Sequence, residues 1–481
     1  MEIAKSMNNI DVIIKNFGKV QHAEFKVKPF TVIAGKNASG KSYITRSLYT
    51  FFSSFNKDHL SIEVDASVFT INRIVSRMYF YSDNPSQKVY DHINFVKDTF
   101  SQLEKSVDLI FHQSTLILQL SQKDDLYDDI NRVKSACNSL IEVIQTYKKY
   151  DDLLQLSKRI LLAVNKLEKL MDKPHESLAF GLAKQLEQSL VNNFLVSSVS
   201  KLKNRGAKET DNVSFSFGKD IGNVYLKSNS ISVDLKEKGV DEFQKIDNVV
   251  YLESPVYWKI KDVLGSWVES RNNPFLRRQL KHQQKELKKI PDYILDTFAL
   301  ADSEIVVDEV HDSLALLKSK IIHSIGGHVQ ISDSGDIQFV EYGESNEQHV
   351  IDLHHTATGA VSLGVIALLL EKNVIVPNSV LIFDEPEVNL HPAWQQIMIK
   401  VLYELSVAGV RIVFASHSFD MMESIEKLMD SHERKDMDVE EHFSIIQLEA
   451  GQTINTTAPV FKKIDAVKAD LGKPLFDLFM D

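Results

Sequence analysis

The fold is decided by a stretch near the amino terminus of the chain, Gly35-Lys36-Asn37-Ala38-Ser39-Gly40-Lys41-Ser42. It matches the pattern G-x-x-x-x-G-K-[ST]. The apolar segment 30–34 before it predicts a buried strand, and residues 42–49 after it predict a helix. A strand, a glycine-containing loop and a helix in this order are typical of a P-loop, which binds nucleotide phosphates.

The residue types of this loop suit phosphate chemistry. Glycines allow a tight turn in which successive backbone N–H groups point inward at phosphate oxygens, and the helix N-terminus adds partial positive charge. Lys41 would reach the β and γ phosphates of ATP, and the Ser42 hydroxyl would hold Mg²⁺. The other candidate phosphate-binding residues are Gly35, Asn37, Ala38, Ser39 and Gly40.

A second set of candidates lies far along the chain. The apolar segment 380–383 predicts a buried strand that ends in Asp384 and Glu385. We expect Asp384 to position Mg²⁺ and Glu385 to polarise the attacking water as general base. The next buried strand, 412–415, is followed by His417. An isolated histidine is usually a cap or surface residue, but this position at a strand end favours contact with the γ-phosphate.

Composition limits the possible classes of protein. The chain has 481 residues, a net charge of −11 and one cysteine, Cys137, so an internal disulfide is impossible and a reducing cytoplasm is expected. No apolar run approaches the 18 or so residues that span a bilayer, which predicts no membrane segment. The histidines show no metal-ligand spacing, which predicts no structural metal. The acidic surface excludes general nucleic-acid binding, so any such contact must be a local patch.

Periodicity divides the chain. Alternating residues predict an antiparallel start to a sheet over 8–34, a small meander over 211–235 and a hairpin over 329–339, whereas residues 60–82 are mixed in character. Leucine and isoleucine at helical spacing predict several antiparallel helices from about 85 to 200. The expected domains are a discontinuous head (1–60, 210–255 and 326–481), a helical insertion, either an arm or a lobe (85–205), and a helical subdomain (256–325).

The order of these motifs resembles a known family. Asn16-Phe17 before the P-loop, Asn37 within it, and the run from Asp384 to Pro392 are similar to ABC-type ATPases of the SMC, RecF and OLD branch. The resemblance covers roughly residues 8–55 and 350–425. It implies an α/β fold, a P-loop ABC-type ATPase head with a mixed sheet. Lys41 and Asp384 lie 343 residues apart, so a large helical insertion must interrupt that head.

The resemblance also implies a partner and further site residues. In such ATPases two heads enclose two ATP molecules, each between the P-loop of one copy and the signature helix of the other. Thr358, a plausible N-cap, and Gly359 would then contact the γ-phosphate across a homodimer or between copies in a higher oligomer. Asn389 and His391 would lie in the loop between the two sites. The region 253–255 is a candidate Q-loop.

The remaining sequence indicates an ATPase without its own nuclease. Enlarged OLD-like proteins carry a C-terminal Toprim nuclease, but here only 64 residues follow His417, and the acidic pair Asp436 and Asp438 lies in a charged loop rather than at a strand end. The chain is similar in this respect to ATPase subunits of anti-phage systems, of the Septu (PtuA-like), PARIS or retron-associated types. The resemblance implies a separate effector partner, a nuclease or a toxin.

Two other functions remain open at this point. A RecF-like DNA-binding clamp in repair or chromosome maintenance would use a basic helix face, for which a solvated surface is the simpler explanation in an acidic chain. A transporter ATPase would need a membrane partner, and an SMC-like insertion argues against it. The residues of the basic face are Arg277, Lys281, Lys285 and Lys288.

Overall fold

The computed structural model describes residues 7–57, 59–78, 85–113, 123–172, 174–227, 230–261, 290–303, 311–332, 335–343 and 347–480. The chain forms two compact units. The first comprises Met1–Asn56 and Ala183–Asp481, and the second comprises Lys57–Leu182. The described helices of the expected 256–325 subdomain belong to the first unit.

The strands of the described residues form two sheets, both within the first unit. Their bounds are β1 Ile10–Phe17, β2 Val20–Val27, β3 Phe30–Ala34, β4 Val213–Ser216, β5 Gly222–Lys227, β6 Ser230–Leu235, β7 Val249–Leu252, β8 Gly327–Ile331, β9 Ile337–Tyr342, β10 Gln348–Asp352, β11 Val380–Asp384, β12 Arg411–Ser416, β13 Phe443–Glu449 and β14 Gln452–Ile454.

The helices of the described residues connect these strands and build the second unit. Their bounds are α1 Lys41–Phe55, α2 His59–Met78, α3 Gln87–Gln113, α4 Lys123–Gln145, α5 Asp151–Asp172, α6 Pro174–Asn193, α7 Glu237–Gln244, α8 Val256–Lys259, α9 Asp292–Asp302, α10 Asp312–Ile325, α11 Thr358–Glu371, α12 Pro392–Val407, α13 Phe419–Glu433, α14 Val439–His442 and α15 Val460–Met480.

The centre of the large sheet is parallel. Strands β13, β3, β12, β11 and β7 lie side by side in this order and pair in parallel. Every residue of β3, β7, β11 and β12 is buried, which explains their continuous apolar sequences, since helices cover both faces of such a sheet. The carboxyl ends of β3, β11 and β12 therefore meet at one edge, where ligands bind in open α/β sheets.

The rest of the large sheet is mainly antiparallel. Strands β6, β5, β4, β1 and β2 follow in this order and pair antiparallel. The expected meander and the first two strands of the expected antiparallel start are thus confirmed, and β4 joins them by pairing with β1, with Phe215 opposite Ile14. The third strand of that start, β3, instead pairs in parallel with β12 and β13. The sheet is mixed, with helices around its parallel part, so the expected α/β fold with a mixed sheet is confirmed.

The second unit is helical. Helix α3 packs on α4, α4 on α5, α5 on α2 and α2 on α3, so the four helices enclose an apolar core. The assignment of 60–82 as mixed was wrong, because α2 covers most of it. Its buried positions recur at helical spacing that the sequence analysis missed: Leu60, Val64, Val68, Ile71 and Val75. No helix in the described ranges is long and apolar enough to span a bilayer.

The small sheet supports helix α11. Strand β10 pairs with β9 in addition to the expected β8–β9 hairpin, and α11 packs on β8 and α10. Gly364 allows this contact, because a Cβ atom built there would lie 2.4 Å from Val329 Cγ2. Val329 is itself buried and β-branched, so it cannot easily move away. The close approach fixes α11 against the small sheet.

We predict that Gly364→Val destabilises the protein. The added side chain overpacks the contact with Val329, which should lower the free energy of unfolding by about 1–3 kcal/mol. Ser362→Ala is the matched control, because the Ser362 hydroxyl donates to Thr358 O within the same helix and its loss should change stability by less than about 0.5 kcal/mol. Urea unfolding measures both. Equal stability of the two variants would contradict the close contact.

Candidate nucleotide-binding site

The P-loop connects β3 to α1. Glycine is required at each end of this loop, for a different structural reason at each. A Cβ at Gly35 would lie 2.4 Å from Leu448 O of the neighbouring strand β13, so only glycine fits there. Gly40 precedes α1 with φ 112°, a left-handed conformation that glycine adopts readily. Ala38 is also left-handed, with φ 64°, which is unusual for a residue with a side chain. The loop backbone is therefore held in a tight turn.

Lys41 is the first residue of α1 and is only 4% exposed. Its Nζ donates hydrogen bonds to Gly35 O at 2.9 Å and Lys36 O at 3.1 Å, and it lies 3.7 Å from Glu385 Oε1. Burial lowers the pKa of Lys41, while the nearby carboxylates, chiefly Glu385, oppose this effect. The Lys41 ammonium thus lies within the loop that would hold the phosphates.

Asp384 ends β11 beside the P-loop. Its Oδ2 accepts a hydrogen bond from the Tyr251 hydroxyl at 3.2 Å, and its buried Oδ1 has no hydrogen-bond partner among the described residues. Burial raises the pKa of Asp384 to about 6, although hydrogen bonds from Ser42 and Tyr251 work against the increase. A buried carboxylate oxygen without a partner, next to a hydroxyl, is a donor set that suits Mg²⁺.

Glu385 follows in a left-handed conformation with φ 55°. Its backbone N–H donates to Ala415 O at 3.0 Å, so the turn after β11 is tied to β12. The side chain is partly exposed, and Oε1 lies 3.2 Å from His417 Nδ1 in addition to its contact with Lys41. One carboxylate oxygen of the predicted general base therefore lies close to both the predicted lysine and the predicted histidine.

Glu387 is a site residue that the sequence analysis did not identify. Its side chain is buried, and Oε1 accepts hydrogen bonds from Ser416 Oγ and from the backbone N–H of His417, both at 2.8 Å. The same oxygen lies 3.3 Å from His417 Nδ1. Burial raises the pKa of Glu387 despite these donors. Its position two residues after Glu385, in the same predicted turn, is the sequence signal that could have indicated it.

A second group, of which the sequence predicted only the region 253–255, surrounds the end of β7, which lies beside β11. The Tyr251 hydroxyl bridges Asp384 and Thr45 Oγ1, each at 3.2 Å. Glu253 accepts from Arg46 and, at 2.6 Å, from the Tyr293 hydroxyl. The candidate Q-loop region thus begins at the strand next to Asp384. The hydrogen bonds that join this region to α1 could not be predicted from the sequence, because the bonded residues are 206 and 207 positions apart in the chain.

The signature-helix candidates lie elsewhere in the first unit. Helix α11 has Ala357 as its N-cap, so the expectation that Thr358 is the cap was wrong: Ala357 has the extended backbone of a cap, and Thr358 is the first helical residue. A Cβ at Gly359 would lie 3.1 Å from both Leu390 and Trp394, which places the start of α11 against the start of α12.

The loop before α12 contains a left-handed residue and ends in a helix cap. Asn389 has φ 62°, and the His391 side chain caps α12 by accepting from Ala393 N at 3.3 Å, with Pro392 in the first turn as expected. Among the described residues, Lys41 contacts Gly35, Lys36 and Glu385 and makes no hydrogen bond or ion pair with Asn389, Thr358 or Gly359.

The remaining predicted residues differ in their exposure and contacts. Ser39 is buried with Oγ unpartnered among the described residues, whereas Asn37 is exposed. Asp438 accepts from Glu441 N as the cap of α14, and Asp436 is exposed, which fits a solvated acidic pair. The proposed basic face falls in residues 262–289, outside the described residues: Arg277, Lys281, Lys285 and Lys288.

Three known structures show a distant similarity to this chain. The Smc head bound to the C-winged helix domain of ScpA is 12% identical, with 95% of this chain and 99% of that chain covered and a TM-score of 0.37. The Smc head with an extended coiled coil bound to the C-terminal domain of ScpA, from Pyrococcus furiosus, is 11% identical, with 96% and 98% covered and a TM-score of 0.38. MJ1267, an ATP-binding cassette of an ABC transporter in the ADP conformation, is 10% identical, with 54% and 76% covered and a TM-score of 0.24.

Sequence comparison identifies the family. No curated protein matches the chain. A family model described as AAA_15, AAA ATPase domain, matches residues 7–422. This match spans most of the chain and includes the P-loop, the strand end at Asp384 and Glu385, and His417. The chain therefore belongs to the AAA_15 family of AAA ATPase domains.

Proposed function

We propose that the chain hydrolyses ATP with Mg²⁺ at the carboxyl edge of its parallel strands, in a site that a second copy completes. One observation carries this proposal. The Lys41 ammonium and the His417 ring both approach Glu385 Oε1, at 3.7 and 3.2 Å. A phosphate-binding cation, a general base and a third polar group are thus gathered where the P-loop ends.

The residues at the P-loop fit a nucleotide with its metal. The backbone N–H groups of the loop would hold the phosphates, with Gly35, Asn37, Ala38, Ser39 and Gly40 as candidates. Ser42 and Asp384 would hold Mg²⁺, because the unpartnered Oδ1 of Asp384 needs a ligand in its buried position. When bound, the metal would neutralise charge on the phosphate oxygens.

Three side chains of the chain would carry out the remaining steps of hydrolysis. Glu385 is partly exposed and would accept the proton of the attacking water. Lys41 would leave the carbonyls of Gly35 and Lys36 to contact the β and γ phosphates. His417 would contact the γ-phosphate and orient it for in-line attack, since phosphoryl transfer depends mostly on positioning and charge stabilisation.

The second copy would supply the other side of the site. Thr358 and Gly359 at the start of α11 are half-exposed, and a helix N-terminus suits an anion. The family resemblance supports their contact with the γ-phosphate on a partner's P-loop, and Asn389 would lie beside them. ATP would therefore join two copies, and hydrolysis would release them.

We further propose that this dimer controls a separate effector, a nuclease or toxin, in anti-phage defence in the cytoplasm. The support is the resemblance to standalone ATPases with a helical insertion, here the second unit, 57–182. A RecF-like DNA clamp is the alternative. Its best support, the basic residues within 262–289, lies outside the described residues.

We predict that Lys41→Ala abolishes ATP turnover, reducing the rate by at least about 10²-fold, because the phosphate charge then lacks its buried cation. Lys36→Ala is the matched control within the same loop. Lys36 is exposed and pairs with Asp470 at 2.7 Å, so its loss should change the rate by less than about threefold. Phosphate release measures both, and unchanged turnover in Lys41→Ala would refute the site.

We predict that Glu385→Gln binds ATP, hydrolyses it at least about 10²-fold more slowly and accumulates as a dimer, because the general base is lost while the phosphate contacts remain. Light scattering after size exclusion, with ATP, ADP or no nucleotide, measures the mass. Adding Thr358→Asp should return the ATP-bound protein to a monomer, since its charge repels phosphate. A Glu385→Gln protein that stays monomeric with ATP would contradict the shared site.

We predict that the purified chain alone cleaves no DNA with Mg²⁺ or Mn²⁺. Robust cleavage that is lost in Asp436→Ala would instead indicate a nuclease in this chain. DNA affinity should be weak and unaffected by charge reversal at Lys281 and Lys285. A strong, salt-dependent affinity that this reversal abolishes would favour the clamp. Filter binding across a salt series distinguishes the two results.

A further inference from the structure

Glu387 holds the turn that carries His417. The turn after β12 contains Ser416, His417 and Ser418. Glu387 Oε1 accepts from the Ser416 hydroxyl and the His417 backbone N–H at 2.8 Å each, and the Ser416 oxygen in turn accepts from Ser418 N at 3.1 Å. Ser418 then caps α13. One buried carboxylate therefore anchors the whole turn.

These bonds are strong for a physical reason. Hydrogen bonds to an ionised carboxylate are roughly twice as strong as those between neutral groups, and the buried surroundings reduce competition from water. Glu387 sits on the turn after β11, three residues beyond Asp384. It thus joins the loop of the general base to the loop of His417.

The His417 ring also lies between two carboxylates. Its Nδ1 is 3.2 Å from Glu385 Oε1 and 3.3 Å from Glu387 Oε1. Ionised carboxylates only accept hydrogen bonds, so a bare lone pair on Nδ1 would face two negative oxygens. Nδ1 makes no hydrogen bond among the described residues, but a proton on it would remove the repulsion between its lone pair and ionised carboxylates and would leave Nε2 for another ligand.

We propose that Glu387 is a positioning residue for ATP hydrolysis, which fixes His417 in backbone position and in its Nδ1–H form so that Nε2 meets the γ-phosphate. This inference rests on the proposed function of His417. It assigns Glu387 no contact with the nucleotide itself. A purely structural role, in which the carboxylate only links two loops, is the competing explanation.

Steady-state kinetics of two Glu387 variants test the proposal in the full-length protein. Gln keeps an acceptor oxygen, so Glu387→Gln should retain kcat within about threefold. Leu removes every bond to the turn, so Glu387→Leu should lower kcat by about 10²-fold, as small displacements of catalytic groups do, with KM for ATP changed less than about threefold. A similar loss in both variants would contradict positioning through hydrogen bonds.

A double-mutant comparison separates positioning from general damage. In a His417→Ala background, Glu387→Leu should lower kcat by less than about threefold more, because there is no ring left to position. A further loss of about 10²-fold would overturn the proposal. Should Glu387→Leu fail to fold, Ser416→Ala removes one of the two donors and should lower kcat about tenfold in wild type but not in His417→Ala.

Nitrogen NMR of protein that is isotopically labelled at histidine reports which ring nitrogen carries the proton. It does not depend on ATP turnover. His417, assigned by comparison with His417→Ala, should show a protonated Nδ1 in wild type and in Glu387→Gln, and an altered ring state in Glu387→Leu or Ser416→Ala. An unchanged spectrum in those two variants would overturn the inference. Wild type without ATP turnover but with these spectra would refute the proposed function, and with it the role of Glu387 in hydrolysis, and would leave only the placement of the His417 ring by Glu387.

Discussion

The buried Lys41 ammonium is the constraint on which the nucleotide site depends. A charge that is only 4% exposed is costly unless it is compensated, and burial accordingly lowers the pKa of Lys41. Two P-loop carbonyls and the Glu385 carboxylate supply that compensation. The loop and the turn after β11 must therefore converge at this side chain, and a phosphate would replace the carbonyls as its partner.

The order of the parallel strands makes this convergence possible. Because β12 lies between β3 and β11, residues from the beginning and the end of the chain share one edge of the sheet. The second unit, 57–182, leaves the head after α1 and returns before β4, so it lengthens the chain between the motifs without separating β3 from β12.

Local patterns in the sequence predicted the P-loop, the strand ending at Asp384 and the position of His417, since each depends on neighbouring residues. Glu387 and Tyr251 were missed, because their importance comes from partners on adjacent strands, such as Ser416 and Asp384. Helix α2 was missed because its apolar positions are largely β-branched valine and isoleucine, which are more typical of strands. The Thr358 cap was wrong by one residue, a typical error at helix ends.

A crystal structure of Glu385→Gln with ATP and Mg²⁺ would test the central claim most directly, that Lys41, Asp384, Glu385 and His417 form one nucleotide site. The account predicts that Lys41 Nζ leaves the carbonyls and contacts the β and γ phosphates, that Ser42 and Asp384 hold the metal, and that His417 Nε2 faces the γ-phosphate. A nucleotide bound elsewhere, or Lys41 still bonded to Gly35 O and Lys36 O with ATP present, would contradict it.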